Sequence, residues 1–433
     1  MTHPLRPLLA GLCLAAGLAA GRGAPAGEFR AGAATRVITP DPLLPVSGGM
    51  GAPKPATEQR GDLTVRAFVA SDGDATVAIV AVDVLGFPGV LADRVRALVR
   101  RIPAEHILIG ASHTHSAPDC YAFPDGRGGH TANLEWIDLV VHKAAEVIHE
   151  AEENARPALL KVATGEARGR IAFNYYAPDL YDRRMGVIQA VGTDGATIAT
   201  LVNYAIHPEV LGSGRGILSP DCIGPLVDGV EERAGGVALF INGAQGGMVT
   251  ADNRDLDAPS DPVRGYWKDV GTWEECERIG GTMAEEALRI VADAEPDPSP
   301  NVALRSRDVV FPVESDDLWA VVCHSPLGYP HDEEHRTITS RLVLLDLGAA
   351  RILTIPGEAL PNVGAYLKRK SGDQTFLFGL TNDAFGYILA EVDFLAFPRY
   401  QYVSRVSLGE RTGTILVDNL LEMVRETPRP AAQ

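Results

Sequence analysis

Histidine and glutamate residues stand directly after several apolar runs of the sequence, where predicted strands end. His113 and His115 follow the run HILIGAS, His207 follows LVNYAI, and Glu358 follows ILTIPG. In an open α/β sheet, ligands bind outside the carboxyl ends of the strands, so such side chains can converge. A catalytic zinc ion takes three protein ligands from imidazole and carboxylate groups and keeps one position open. His113, His207 and Glu358 supply that number from three different strands.

Other polar residues occupy the same kind of position. A single histidine in a loop is more often a structural residue than a ligand, and the spacings between these residues match no linear zinc motif. Polar residues of this kind follow six predicted strands, and this number favours one shared site over a chance arrangement. The remaining strand-end residues are Asp83, Gln245, Thr250, Asn382 and Tyr387.

A second pattern points to a different zinc site. Residues 331–335 read HDEEH, which matches the H-x-x-E-H pattern of some zinc peptidases. That pattern binds zinc only where both histidines lie on one face of a stable helix. Gly328 and Pro330 precede it, and TITSRLVLLDL after it alternates like a strand. We therefore predict a solvated acidic loop here and not a peptidase site.

The elements that must position the first set of residues alternate between short apolar runs and longer helical patterns. Alternation of this kind predicts one large α/β domain, with a mixed sheet or sheets flanked by helices and the site at the carboxyl ends of the strands. The proline-rich stretch Pro296–Pro300 is the only candidate boundary. The clearest strands are 76–84, 106–112, 159–163, 185–191, 198–206, 237–242, 352–356 and 375–380, and the clearest helices are 90–102, 133–154, 223–234, 273–294 and 412–425.

The amino terminus is predicted to be a signal peptide at residues 1–26, followed by the domain at 27–433. An arginine, an apolar run of about 14 residues and small residues at Ala24 and Ala26 form the pattern of a secretory signal. The run is shorter than the roughly 20 residues of a membrane span, and an uncleaved anchor is the alternative. The expected location is therefore outside the cytoplasm, in a periplasm or the medium.

Four cysteines remain after that segment. In an exported protein an even number of cysteines permits disulfides. Cys120 and Cys222 both follow histidine motifs, which makes them the first candidates for a bridge, and four free thiols are the alternative. The other two are Cys276 and Cys323.

Composition narrows the partners. With Lys+Arg 39 and Asp+Glu 56 the net charge is −17, which argues against nucleic-acid binding because phosphate affinity needs a basic surface. The same charge, few aromatic residues and the lack of a clear amphipathic surface helix argue against stable membrane insertion. Gly 45 and Pro 30 exceed average use and predict many shaped loops.

Five segments of the chain resemble, in the same order, the motifs of one enzyme family, the neutral/alkaline non-lysosomal ceramidases. The resemblance covers most of residues 30–400 and concerns the N-terminal catalytic domain of that family. The chain is not expected to carry the family's C-terminal β-sandwich. The segments are GASHTHSAPDCY (110–121), NYAIHPEV to ILSPDCIG (203–224), NGAQGGMVTADN (242–253), IPGEALPNVG (355–364) and GLTNDAFGYILAEVDF (379–394).

The resemblance implies a ligand set. Carried over one residue at a time, the family's zinc ligands become His113, His207, Glu358 and Tyr387, for one zinc ion per chain. His115 matches the histidine expected to transfer protons at the substrate. Thr250 stands where the family has a serine, and its hydroxyl can still donate a hydrogen bond.

Further residues are expected around the reacting groups. Asp83 and Asp221 are predicted to orient the histidines, with a capping or turn role as the alternative. Arg168 and Arg170 are predicted to orient a polar substrate group, with a plain surface position as the alternative. Gln245 and Asn382 complete the set of residues expected near the metal or the substrate.

The function that follows is zinc-dependent hydrolysis of an N-acyl amide, on a small-molecule or lipid-like substrate. LAEVDF replaces the family's T-T-x-E-E-Y, so the substrate need not be ceramide. One alternative is a hydrolase of an ester or an acetylated sugar amide on the same metal site. Another is an exported binding protein that keeps the fold without catalysis.

Overall fold

The computed structural model of the chain describes Met1, residues 28–257 and residues 267–429. Apart from Met1, the predicted signal peptide lies outside the described residues. Among the described helices, none is both long enough and apolar enough to cross a membrane. The helices are α1 (Gly89–Leu98), α2 (Leu134–Glu153), α3 (Ile223–Ala234), α4 (Trp273–Ala292), α5 (Asp316–His324), α6 (Pro361–Ser371), α7 (Gln401–Arg405) and α8 (Thr412–Glu426). The strands are β1 (Arg30–Val37), β2 (Glu58–Gln59), β3 (Thr64–Ser71), β4 (Thr76–Val82), β5 (Ile107–Ala111), β6 (Arg156–Glu166), β7 (Ala172–Asn174), β8 (Arg184–Gly192), β9 (Thr197–Tyr204), β10 (Ile217–Leu218), β11 (Val237–Asn242), β12 (Val249–Ala251), β13 (Val302–Pro312), β14 (His331–Asp332), β15 (Thr337–Leu347), β16 (Ala350–Thr354), β17 (Glu358–Ala359), β18 (Thr375–Phe378) and β19 (Tyr387–Ile388).

Two mixed sheets form the centre of the structure. The larger has eight strands in the order β11-β9-β8-β6-β1-β3-β4-β5, in which β11–β9 and β4–β5 are parallel and the other pairs antiparallel. The smaller has the order β13-β15-β16-β18, with β14 beside β15 and a parallel β16–β18 pair. The predicted α/β class with mixed sheets flanked by helices is confirmed.

The sheets pack face to face between two layers of helices. Phe68 and Ile188 of the larger sheet share one apolar cluster with Leu345 and Phe376 of the smaller sheet. The other face of the larger sheet is covered by α1 and α2 near β5, and by α3 and α4 near β11. Helices α5, α6 and α8 cover the outer face of the smaller sheet. Strands β4 and β5 are covered on both faces, which explains why they read as continuous apolar runs.

The larger sheet curls until its two end strands meet. β11 and β5 stand at opposite ends of the strand order, yet Asn242 Nδ2, at the end of β11, donates to Ser112 O just after β5 at 3.2 Å. The same nitrogen donates to Ile206 O at 2.7 Å. Ser112 precedes His113 and Ile206 precedes His207, so one buried amide joins the two segments that carry the histidines.

Most predicted elements occur, with ends that differ by a few residues. The helix predicted at 90–102 ends at Leu98, and the helix predicted at 133–154 begins as expected, with Asn133 Oδ1 accepting from Trp136 N at 2.9 Å. The proline-rich stretch runs along the larger sheet, since Asp297 pairs with Leu160 through the main chain.

The HDEEH segment forms no helix. His331 lies in the short strand β14, the residues after Asp332 form a turn, and both histidines are exposed. His335 Nδ1 lies 2.9 Å from Asp332 Oδ2 within that turn. The acidic loop predicted from the sequence is the structure that forms.

Of the two alternatives left open for the cysteines, the structure has the free thiols and not the Cys120–Cys222 bridge. All four described cysteines are free thiols. The reason is their place in the core: Cys120 packs in the cluster under α1 and α2, whereas Cys222 and Cys276 pack in the cluster between α3 and α4. Burial raises the pKa of Cys120 and Cys222 well above the ordinary value, which keeps these thiols neutral.

Candidate active site

The two most deeply buried histidines are fixed by main-chain carbonyl groups. His113 Nδ1 lies 2.6 Å from Leu85 O, and His207 Nδ1 lies 2.9 Å from Val249 O. Because a carbonyl oxygen can only accept, Nδ1 carries the proton in each ring. Nε2 of each ring therefore carries a lone pair, which is the state of a metal-ligating histidine.

Glu358 reaches these two rings from the side of the smaller sheet. Its Oε2 lies 3.1 Å from His207 Nε2 and 3.4 Å from His113 Nε2. The loop after β11 packs closely on β17, where a Cβ at Gly246 would lie 2.2 Å from Glu358 O. Only glycine permits that approach, which explains why glycine occupies this position of the NGAQGG segment.

Three acceptor atoms thus face one another without a donor between them. Burial lowers the pKa of His207, but the hydrogen bond that the protonated ring would donate to Glu358 and the charges of Glu209 and Glu358 outweigh it, so the pKa lies above its ordinary value. Burial raises the pKa of Glu358, yet the charges and hydrogen bonds of His113 and His207 hold it well below the ordinary value. A proton or a cation bound between these acceptor atoms would relieve their mutual repulsion. Two imidazole nitrogens and a carboxylate oxygen are the donor set that zinc takes, so the residues present fit the metal.

His115 belongs to the same cluster and occupies its open side. Its Nε2 lies 3.3 Å from His113 Nε2, and the ligand nitrogens of His113, His115 and His207 all lie within 4.8 Å of one another. Its side chain is 16% exposed, against 3% for His113 and 0% for His207. Burial, and then the charges of His113 and His207, hold the pKa of His115 well below its ordinary value, so the ring is neutral.

The backbone around the cluster adopts a conformation that is rare for residues other than glycine. His113 has φ 72°, Asp221 φ 58° and Asn382 φ 70°. A positive φ costs free energy and persists where the surrounding contacts over-determine it, which is common at functional sites.

An apolar cavity of about 300 Å³ opens onto the cluster. His113, His115 and Glu358 lie in its wall. Most of the remaining wall is apolar, which favours an apolar ligand portion beside the polar cluster. The apolar residues include Leu85, Leu318, Val322, Ile338, Phe385 and Leu408.

Tyr387 also lies in the cavity wall, beside Glu358. Strands β17 and β19 pair in parallel with Glu358 opposite Tyr387. The Tyr387 hydroxyl donates to Met248 Sδ at 3.2 Å. Burial and the charge of Glu358 raise the pKa of Tyr387 well above its ordinary value, so the phenol is protonated.

Thr250 and Gln245 lie behind the histidines. Thr250 forms a parallel bridge with His207 through the main chain, and it does not line the cavity described above. Gln245 is fully buried, and neither its Nε2 nor its Oε1 has a hydrogen-bond partner among the described residues. Thr250 thus adjoins His207 through the main chain, and the side chain of neither residue hydrogen-bonds to the cluster.

Asp83 and Asp221 do not hydrogen-bond to the histidine rings. Asp83 Oδ2 accepts from Thr64 N at 2.9 Å and from Thr64 Oγ1 at 2.7 Å. Asp221 accepts from Val210 N, Leu211 N and Cys222 N, at 3.2, 2.8 and 2.8 Å. The prediction that they orient the rings directly is corrected: main-chain carbonyls do so, and Asp221 instead holds the loop that follows His207.

Arg168 and Arg170 lie away from the cavity. Arg168 is exposed, and its main-chain N donates to Glu286 Oε2 at 2.7 Å. Arg170 donates to Glu275 Oε2 at 3.2 Å, so both residues contact helix α4. Neither residue lines the cavity, and both positions agree with the surface alternative given for them.

Sequence reasoning overlooked three residues of the site. Asn242 ties together the two histidine segments, and Tyr121 lines the cavity. Glu209 Oε2 lies 3.6 Å from His115 Nδ1. The available signals were that Glu209 follows the H-P pair, that Tyr121 ends the histidine-loop motif, and that Asn242 ends a predicted strand and begins the segment NGAQGGMVTADN.

The structure resembles two solved structures closely over most of its length. One is neutral ceramidase from Pseudomonas aeruginosa, with a TM-score of 0.73 and 16% identity, over 94% of this chain and 76% of that chain. The chain has a neutral ceramidase-like fold. A second ceramidase structure, complexed with C2, has a TM-score of 0.72 and 16% identity, over 94% of this chain and 77% of that one. The sequence matches no protein-family model, and it has no match among curated proteins.

The ceramidase-like fold confirms the family resemblance read from the sequence motifs. At 16% identity the likeness establishes the fold alone. The chemistry of this chain therefore has to be argued from its own residues.

Proposed function

We propose that the chain is a zinc-dependent amidohydrolase that cleaves an N-acyl amide. The observation that carries the proposal is the convergence of His113 Nε2, His207 Nε2 and Glu358 Oε2 at one end of an apolar cavity, with both Nδ1 atoms fixed by carbonyl groups. The ceramidase-like fold supports it by analogy.

His113, His207 and Glu358 would hold the metal, with Tyr387 as the fourth protein ligand. When bound, zinc lowers the pKa of water to about 7 and polarises a carbonyl group. The Leu85 and Val249 carbonyls fix the tautomer and the direction of both rings, so that Nε2 faces the metal position.

His115 is assigned the transfer of protons. Its ring is neutral, lies on the cavity side of the cluster and has Glu209 near Nδ1. A neutral imidazole can take a proton at Nε2 from the attacking water and give it to the leaving amine. In that state the Glu209 carboxylate would stabilise the charged ring. Thr250 is assigned a supporting role as a hydrogen-bond donor, in place of the family's serine.

The size of the cavity bears on the substrate. A volume of about 300 Å³ lies at the lower end of the range for small-molecule sites, roughly 300–1,000 Å³. We therefore propose that N-acyl compounds with short or medium acyl chains are preferred over long-chain sphingolipids. The product pair would be a carboxylate and an amine.

The test combines metal analysis with a substrate panel. Purified protein, stripped with chelator and reloaded with zinc, is assayed on N-acyl amides and matched O-acyl esters of two to sixteen carbons. Zinc-dependent release of amine from the shorter amides is the expected result. Faster cleavage of the esters would favour an esterase, and zinc binding with no turnover on any acyl compound would favour a binding protein.

We also propose that residues 1–26 act as a signal peptide and that residues 27–433 form the exported enzyme. The pattern of one arginine, an apolar run and small residues supports this. Amino-terminal sequencing of the protein recovered outside the cytoplasm is expected to start at residue 27. A chain recovered intact in the membrane fraction would point to an uncleaved anchor.

A further inference from the structure

Besides the metal cluster, the cavity wall carries a group of polar side chains that the proposed reaction does not use. Asn382, from the loop after β18, and Arg341, from β15, both line the cavity. Among the described residues, neither side chain forms a hydrogen bond or an ion pair with the histidines, Glu358 or Tyr387. They form a separate polar patch in the same wall.

Asn382 is held so that its amide nitrogen stays free. The residue is 2% exposed, and its Oδ1 accepts from Arg96 Nη2 at 2.7 Å and from Ile109 N at 3.3 Å. These two donors fix the amide orientation, because only the oxygen can accept. Nδ2 is buried and has no partner within the described part of the chain. A buried donor without a partner costs free energy, which an acceptor placed against this nitrogen would offset.

Arg341 adds further donors to the same wall. Its Nε donates to Asp308 Oδ1 at 3.1 Å, and no described residue hydrogen-bonds to its two Nη nitrogens. Its side chain is 29% exposed. A guanidinium group with two free terminal nitrogens is shaped to take a carboxylate or a carbonyl oxygen.

The charges around the patch permit an acceptor there. Arg96 is almost fully buried behind Asn382 and is partly balanced by Asp93. Asp383 is occupied by main-chain donors, since its Oδ1 accepts from Gly89 N at 2.9 Å, at the start of α1, and from Ala384 N at 3.0 Å. Asp93 and Asp308 also line the cavity, where Asp93 pairs with Arg96 and Asp308 with Arg341. The Ser340 Oγ beside them has no partner among the described residues, and Asn382 Nδ2 and the Arg341 Nη atoms are free donors.

We propose that Arg341 and Asn382 form a specificity subsite that binds an oxygen acceptor, a carboxylate or an amide carbonyl, on one end of the substrate. The inference rests on the proposed amidohydrolase function and adds the substrate class: N-acyl compounds that end in such a group, in place of a plain hydrocarbon. The apolar wall between the patch and the metal cluster then accommodates a short methylene chain.

The experiment compares matched substrates with three ends, carboxylate, primary amide and methyl. The end group is placed on the amine half in one series and on the acyl half in the other, which shows which half reaches the patch. The ratio of kcat/KM for the carboxylate to that for the methyl compound is measured in the wild type, Arg341→Gln and Asn382→Asp. Arg305→Gln, an exposed arginine on β13 that pairs with Glu426, is the matched control.

The wild type is expected to prefer either oxygen-bearing end over methyl. Arg341→Gln should lower the carboxylate-to-methyl ratio about tenfold or more, because a charge-assisted hydrogen bond is lost. Asn382→Asp keeps the oxygen that Arg96 binds and turns the free donor into an acceptor, so it should lower the same ratio. Arg305→Gln should leave it unchanged. A purely structural effect would reduce both substrates equally and leave the ratio intact.

Two failures are distinguishable. If the wild type cleaves N-acyl amides but Arg341→Gln leaves the ratio unchanged, the subsite is overturned and the amidohydrolase function stands. If the wild type cleaves none of the compounds, the proposed function fails. Calorimetric Kd values for the same compounds then decide the subsite, which requires tighter binding of the oxygen-bearing ends that is lost in Arg341→Gln.

Discussion

The metal cluster and the Arg341–Asn382 patch share one cavity but are built differently. At the cluster, main-chain carbonyls hold His113 and His207, and both rings are almost completely buried. At the patch, Asn382 is held by Arg96 Nη2 and Ile109 N, and Arg341, paired with Asp308, remains partly exposed with free nitrogens. This difference in support indicates which positions can be substituted without loss of the reacting groups. Reacting groups are fixed by backbone that substitutions elsewhere barely move, whereas the residues that select the substrate can be exchanged without disturbing them.

The strongest way to break the cluster is His207→Ala. Removing one of the four proposed protein ligands is expected to abolish zinc binding and to lower kcat/KM by about 10³-fold or more, since the metal supplies several kcal/mol of transition-state stabilisation. Elemental analysis and amide hydrolysis measure both effects.

His331→Ala is the matched control, because that exposed histidine belongs to the acidic loop. It should keep full zinc content and full activity. Zinc retained at wild-type level in His207→Ala would refute the ligand assignment.

His115→Ala tests whether His115 is a metal ligand or a proton-transfer group. We expect zinc content to stay at the wild-type level and kcat to fall by about 10²–10⁴-fold, the range for general acid–base catalysis. The structural basis is the position of His115 on the open side of the cluster, with no carbonyl fixing its Nδ1. Parallel loss of zinc would instead make His115 a third nitrogen ligand.

Asn242→Ala tests whether the curl of the larger sheet positions the two histidines. The change removes the bonds to Ser112 O and Ile206 O and leaves buried carbonyls unpaired. We expect a loss of about 2–5 kcal/mol in the free energy of unfolding and a 10–100-fold weaker zinc affinity. Urea unfolding and zinc titration are the measurements.

Asn133→Ala serves as the comparison, since it removes a helix cap that does not line the cavity. It should cost about 1 kcal/mol and leave zinc affinity unchanged. Equal effects of the two changes on zinc affinity would contradict the proposal that Asn242 positions the two histidines.

Asp383→Asn is expected to have the smallest effect, and it depends on pH. Burial, together with the charge of Asp93, raises the pKa of Asp383 to about 6. A carboxyl whose folded pKa exceeds its unfolded value stabilises the protein below about pH 4, and this contribution is lost as the pH rises through about 6. Because Asp383 is partly exposed, the loss is about 1–2 kcal/mol.

Asparagine keeps the oxygen that accepts from Gly89 and does not titrate. The free energy of unfolding of Asp383→Asn, relative to wild type, should therefore increase between pH 4 and pH 8. Urea unfolding at several pH values measures it. A difference that stays flat with pH would show that Asp383 is ionised normally in the folded protein.

Much of the site could be proposed from the sequence because each residue follows an apolar strand. His113, His207 and Glu358 were selected by position, and the structure brings them within hydrogen-bonding range of one another. The alternatives that the sequence leaves open concern neighbours that are distant in the chain. No local pattern shows that Arg168 and Arg170 contact α4, or that Cys120 and Cys222 pack in separate clusters.

The sequence by itself determined the local structure: buried strands as apolar runs, the capped helix α2, and polar residues at strand ends. Hydrophobic periodicity and capping act over a few residues, so they can be read locally. Only the tertiary structure decided that the end strands β5 and β11 meet, because Asn242 joins loops that lie 130 and 36 residues away. It also decided that Leu85 and Val249 carbonyls, and not aspartates, fix the rings. Such contacts depend on how the sheet curls, which no local pattern records.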